Sequence, residues 1–70
     1  SLTKREIEIL KLLGTGMSND QISQKLLISI KTVKTHISRI MDKLNVSDRF
    51  QAGMIAVHHG LVKVDVKPHT

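Results

Sequence analysis

The sequence predicts an all-α fold, a four-helix bundle with helices at about 4–14, 19–26, 30–44 and 48–59, and three observations carry that prediction. Apolar residues recur at offsets of three, four and seven instead of alternating, the spacing of helices that bury one face. Capping residues stand ahead of each periodic run: Thr3, Ser18, Ser29 and Ser47. Helix breakers separate the runs, with Gly14 and Gly16 after the first, Asn45 after the third and Gly60 after the fourth.

Seventy residues make one domain. A chain of this size buries only about 60 % of its unfolded surface, so every large core residue matters. No cysteine is available for disulfides or thiolate metal sites, and Phe50 is the one aromatic. Stacking platforms for single-stranded nucleic acid are therefore not expected. No apolar run approaches the roughly 20 residues of a membrane span, and no signal peptide is visible, so a soluble cytoplasmic domain is expected. The chain opens Ser-Leu-Thr-Lys without an initiator Met, which reads as a piece of a longer protein whose regulatory part lies upstream.

The first helix begins with a capping box, Thr3 with Glu6. Its core stripe is Ile9, Leu10 and Leu13, flanked by Ile7 and Leu12. Glu6 falls inside this stripe, where an unpaired charge is costly, and Arg49 is the expected partner unless solvent reaches the position. A second capping box, Ser18 with Gln21, starts the second helix, with Ile22 and Leu26 inward and Met17 stapled against Ile22. Leu27-Ile28-Ser29 forms a turn without glycine, so its bend is expected without positive φ, with Ile28 plugging the junction. Ser47 is expected to cap the fourth helix. That helix has two apolar sides: Ala52, Ile55 and Ala56 on one, and Phe50, Gly53, Met54 and Val57 nearly opposite. Three other helices cannot cover both, so the second side should be exposed and mark an interface. A two-fold contact would use the patch on both copies, with Gly53 allowing close approach. Residues 63–70 alternate Val with charge before Pro68, and a flexible tail is expected there.

The third helix organises the rest. Ile30, Val33, Ile37, Ile40, Met41 and Leu44 share roughly a 100° sector, and Lys31, Lys34, Thr35, Ser38 and Arg39 face away from it. Eleven Lys and Arg against six Asp and Glu give a formal charge of +5. Placement says more than the total: Lys25, Lys31, Lys34, Arg39 and Lys43 surround this helix, with Asp42 the one anion between Lys25 and Lys43. Two helices joined by about three residues, the second one basic, outline a helix-turn-helix whose second helix is shaped to meet a polyanion.

Leu2-Thr3-Lys4-Arg5-Glu6, Gly16-Met17-Ser18-Asn19, Thr32-Val33-Lys34 with His36, Lys43-Leu44, Arg49 and Ala52 together resemble the LuxR/NarL/FixJ-type C-terminal helix-turn-helix, over residues 2–62 without gaps. The resemblance implies that the third helix enters the major groove of double-stranded DNA and that the fourth mediates a homodimer through Phe50, Gly53, Met54 and Val57. It also implies an upstream receiver or signal-binding domain, a response-regulator effector being the foremost case. Position by position, Lys34 and Thr35 stand where the family reads bases, and Thr32 and His36 where it touches the backbone. Ser38 stands where some members carry a base-reading Lys. Lysine at 34 can donate to guanine O6 and N7 or meet a phosphate, and Thr35 offers a methyl and a hydroxyl. Lys31, Thr32, His36 and Arg39 suit phosphates, as does Asn19 at the start of the second helix unless it serves only a cap.

His36 has no second ligand at metal spacing, and His58-His59 suit the negative end of the fourth helix, so neither metal nor cofactor is expected. Met17, Met41 and Met54 read as core or interface fillers. No catalytic constellation is present, which argues against an enzyme. A sigma-factor region-four-like promoter-binding module and a helical protein–protein adaptor are the alternatives.

Overall fold

Four capped helices follow one another: α1 Lys4–Gly14, α2 Asn19–Leu26, α3 Ile30–Leu44 and α4 Arg49–His58. The computed structural model describes residues 1–62, and the tail expected at 63–70 lies outside the described residues. Both capping boxes form. The Thr3 N–H donates to Glu6 Oε1 at 2.8 Å while the Glu6 N–H donates to Thr3 Oγ1 at 3.1 Å. Ser18 and Gln21 repeat the exchange at 2.9 and 3.2 Å. Each reciprocal pair satisfies two backbone donors that the helix start would otherwise leave open.

Helix α4 starts one residue later than expected. Its cap is Asp48, whose Oδ1 accepts from the Gln51 N–H at 2.9 Å. Ser47 is not the cap; its own N–H donates to Gln51 Oε1 at 2.9 Å, outside the helix. Sequence position alone leaves both side chains competent to cap, and the chain direction after Val46 selects the carboxylate.

The core is Ile9, Leu10 and Leu13 from α1, Ile22 from α2, Val33, Ile37 and Ile40 from α3, and Ala52 and Ala56 from α4. Bulk therefore comes from the first three helices, and α4 supplies methyl groups. That asymmetry lets α4 lie close against α1. A Cβ on Gly53 would stand 3.0 Å from the Leu13 carbonyl oxygen, and one on Gly14 would meet Ala56 Cβ at 3.1 Å. Gly53 is consequently buried. Its smallness serves the approach of α1 within the chain, which corrects its expected placement on the outer face of α4.

The turn between α2 and α3 departs from expectation too. Leu27 adopts φ 56°, ψ 44°, a left-handed conformation, although it is not glycine. The geometry closes the end of α2: the Ile28 N–H donates to the Ser23 carbonyl at 3.1 Å, and Ser23 Oγ donates back to the Ile28 carbonyl. With those bonds the chain reverses within three residues, and Ile28 packs against the core as expected. Asn45 ends α3 in the same way at φ 56°, with a side chain that tolerates the conformation far better than leucine does.

Glu6 is 3 % exposed, and its partner is Lys43, not Arg49. Lys43 Nζ lies 2.7 Å from Glu6 Oε1 and also donates to the Ser1 carbonyl at 3.3 Å. This bond and the Thr3 N–H hold the Glu6 carboxyl at about 2, well below its ordinary 4.5. The pair ties the C-terminal part of α3 to the start of α1.

Candidate nucleic-acid interface

Helix α3 is held on its inner side by Val33, Ile37 and Ile40, all buried, and is capped by Ser29, which accepts from the Thr32 N–H at 3.1 Å. Opposite that stripe, Lys31, Thr32, Lys34, Thr35, Ser38 and Arg39 are all exposed. A helix anchored along one side and cationic along the other presents fixed donors at a rigid spacing. Residues Lys34 and Ser38 stand one turn apart on a common row, and Lys31 and Thr35 form the adjacent row.

Two hydroxyls are already partly used. Thr35 Oγ1 donates to the Lys31 carbonyl at 3.1 Å, so outward it offers lone pairs and a methyl group. Thr32 Oγ1 pairs with Ser29 Oγ at 2.9 Å. His36 is half-buried, with Nδ1 enclosed and without a hydrogen-bond partner among the described residues, so that nitrogen is withheld from any external ligand. Among the described residues no cluster of three or more metal-ligating side chains occurs.

Beside α3 an open cleft of about 290 Å³ is lined by Asn19 from α2, Lys34, Ile37, Ser38 and Met41 from α3, and Ser47, Asp48 and Arg49 before and at the start of α4. Three elements remote in sequence meet there. Arg49 joins two of them: its Nη1 donates to Asn19 Oδ1 at 2.6 Å and its Nη2 to the Met17 carbonyl at 2.9 Å. Sequence reading assigned Arg49 to Glu6 and missed this link, because no local pattern announces a bond spanning thirty residues. Ser18, not Asn19, caps α2, so the amide of Asn19 is not consumed by its own helix.

On α4 a second surface is exposed. Phe50 is 79 % and Met54 71 % accessible, with Val57 beside them. Together with buried Gly53 and with Leu13, Gly14 and Gly16 they line a shallow apolar groove. It shares no lining residue with the cleft beside α3, so the two surfaces are distinct and differ in character.

The family profile GerE, described as "Bacterial regulatory proteins, luxR family", matches residues 1–56. The chain belongs to the luxR family. It is a helix-turn-helix DNA-binding domain of the luxR type, the kind that transcription regulators carry. The transcriptional regulatory protein LiaR of Bacillus subtilis is 56 % identical over 62 residues, 89 % of this chain and 29 % of LiaR. The response regulator protein VraR of Staphylococcus aureus is 52 % identical over 89 % of the chain and 30 % of VraR. The chain thus spans less than a third of the length of these relatives. Among solved structures, the transcription factor GerE superposes with a TM-score of 0.77 at 45 % identity, covering 91 % of this chain and 96 % of GerE. The response regulator ChrA of a heme-sensing two-component system gives 0.79 at 48 % identity, over 87 % of this chain and 30 % of ChrA. No helix among the described residues is long and apolar enough to cross a membrane.

Proposed function

We propose that this luxR-family domain is the DNA-reading end of a cytoplasmic response regulator, with α3 lying in the major groove of a specific duplex site. The single observation that carries the reading is the exposed row of Lys31, Lys34, Thr35, Ser38 and Arg39 on a helix whose other side is locked into the core. In this pose Lys34, Thr35 and Ser38 meet base edges, Lys34 by donating to guanine O6 or N7 and Thr35 through its methyl and lone pairs. Asn19, Lys31, Thr32, His36 and Arg39 meet phosphates and set the register of the helix on the duplex.

Two copies bind together through the apolar groove of α4, with Phe50, Met54 and Val57 as the contacting side chains and Gly53 as its floor. Two-fold geometry then spaces the half-sites by about one helical turn, roughly 34 Å, or a multiple of it. The length of LiaR and VraR beyond the matched part supports a receiver domain attached upstream.

The experiment is selection of bound duplexes from a random pool by the purified domain, followed by Lys34→Ala and Lys31→Ala on the selected site. Lys34→Ala should weaken that site by about 1–3 kcal/mol and relax its base preference. Lys31→Ala should weaken selected and random DNA alike and lower the salt dependence. Both variants binding like the wild type would overturn the assignment of α3.

A further inference from the structure

The bond between Arg49 and Asn19 decides something that neither residue decides alone. A guanidinium carries only donors, so the Asn19 atom lying 2.6 Å from Arg49 Nη1 is necessarily the amide oxygen. The two ends of an amide diverge from one carbon. With Oδ1 turned to Arg49, the Nδ2 group is turned away from it, and among the described residues Nδ2 has no protein partner. Asn19 is half-buried on the wall of the cleft that Lys34 and Ser38 line from the other side. Without Arg49 the amide would flip freely and show an approaching anion its oxygen as readily as its nitrogen. Arg49 is itself fixed, because Nη2 is held by the Met17 carbonyl at 2.9 Å and its backbone opens α4.

We propose that Arg49 is a positioning residue for DNA binding: it locks the Asn19 amide with Nδ2 outward, so that Nδ2 donates to one phosphate of the strand running past Lys34 and Ser38. This inference rests on the proposed function and adds a residue that touches no DNA itself. It also explains why an arginine stands at the first position of α4, where a cation is unfavourable to the helix dipole. Two carbonyl oxygens from one loop and helix start, converging on one guanidinium, tie the N-terminus of α2 to the first residue of α4.

Asn19→Asp tests the amide directly. The carboxylate still accepts from Arg49, so the fold is kept, but the outward atom becomes an anionic acceptor facing the phosphate. Affinity for the selected duplex should fall roughly tenfold or more, the scale of a lost hydrogen bond to a charged group. Replacing phosphates one at a time by neutral methylphosphonates separates this contact from a general charge effect. One linkage should cost the wild type affinity and bring Asn19→Asp level with it, while the other linkages leave the gap intact. Arg49→Lys, which keeps a cation but cannot bond both oxygens, should lose the penalty at that same linkage and keep the penalties due to Lys31 and Arg39. A purely structural Arg49 would weaken all linkages together, and that pattern would overturn the inference. So would an Asn19→Asp domain that binds the natural duplex like the wild type while Lys34→Ala does not, which leaves the α3 assignment standing. Failure of the wild type to select any duplex would overturn both.

Discussion

Helices α3 and α4 each leave one side in solvent, and the two sides differ in kind. On α3 the large apolar residues Val33, Ile37 and Ile40 face in and the polar ones face out. On α4 the order is reversed by size: Ala52, Gly53 and Ala56 are buried while Phe50 and Met54 are exposed. Hydrophobicity sorts the residues of α3. Available space sorts those of α4, since a helix pressed against α1 at glycine distance admits nothing larger than a methyl group. An outward-facing phenyl ring is thus the consequence of close packing on the opposite side. In the proposed complex the polar side of α3 meets the charged duplex and the outer side of α4 meets an apolar surface of a second copy.

The comparison can be broken most forcefully at the base of α3. Ile40→Ala, at a fully buried site, should cost about 2–5 kcal/mol in urea or thermal unfolding, a large share of what holds so small a domain together. The corresponding change in the sparse α4 layer is an addition. Gly53→Ala drives a methyl to 3.0 Å from the Leu13 carbonyl, and a loss of about 1–3 kcal/mol is expected in the same assay. A Gly53→Ala domain as stable as the wild type would refute the close-packing account of α4.

The outer faces separate by ligand. Met54→Glu should leave thermal stability and binding to a single half-site unchanged and abolish cooperative binding to two half-sites, as read by sedimentation on the duplex. Lys34→Ala should do the opposite, weakening a single half-site while cooperativity persists. If Met54→Glu binds paired sites as cooperatively as the wild type, α4 is not the contact between copies.

Acid probes the tie between α1 and α3. The Glu6 carboxyl is lowered from 4.5 to about 2 by Lys43 and the Thr3 N–H, so its stabilising contribution is whole above pH 4.5 and is lost as pH falls toward 2. The melting temperature should drop across that window. Glu6→Gln should flatten that part of the profile and start from a lower value at neutral pH. The smallest effect is expected at the turn, where Leu27 is 90 % exposed in a left-handed conformation. Leu27→Gly should raise stability by up to about 1 kcal/mol, the relief of the Cβ clash exceeding the added chain entropy.

Much of this was legible before any coordinates. Reciprocal capping at Thr3/Glu6 and Ser18/Gln21, the inner stripe of α3 from Val33 onward (Ile30, expected in it, is exposed) and the exposed Phe50 and Met54 of α4 depend on residues within a few positions of one another. Their spacing therefore states the outcome. Errors arose where a side chain had two equally near choices or a distant one. Ser47 and Asp48 compete for one cap. Arg49 and Lys43 are both cations able to reach α1, and only the tilt of α3 brings Lys43 Nζ to Glu6. Leu27 carries no left-handed signal because its conformation is imposed by the bonds at the end of α2.

The sequence by itself determined four helices, their ends to within a residue, and one amphipathic helix with a cationic outer row, because periodicity and capping are local properties of the chain. Tertiary structure alone decided that Gly53 faces α1, that Glu6 belongs to Lys43, and that Arg49 holds Asn19 beside Lys34. Each of these is a meeting of segments about thirty or more residues apart. Such meetings are fixed by how closely whole helices approach, a quantity set by the packing of every core side chain at once.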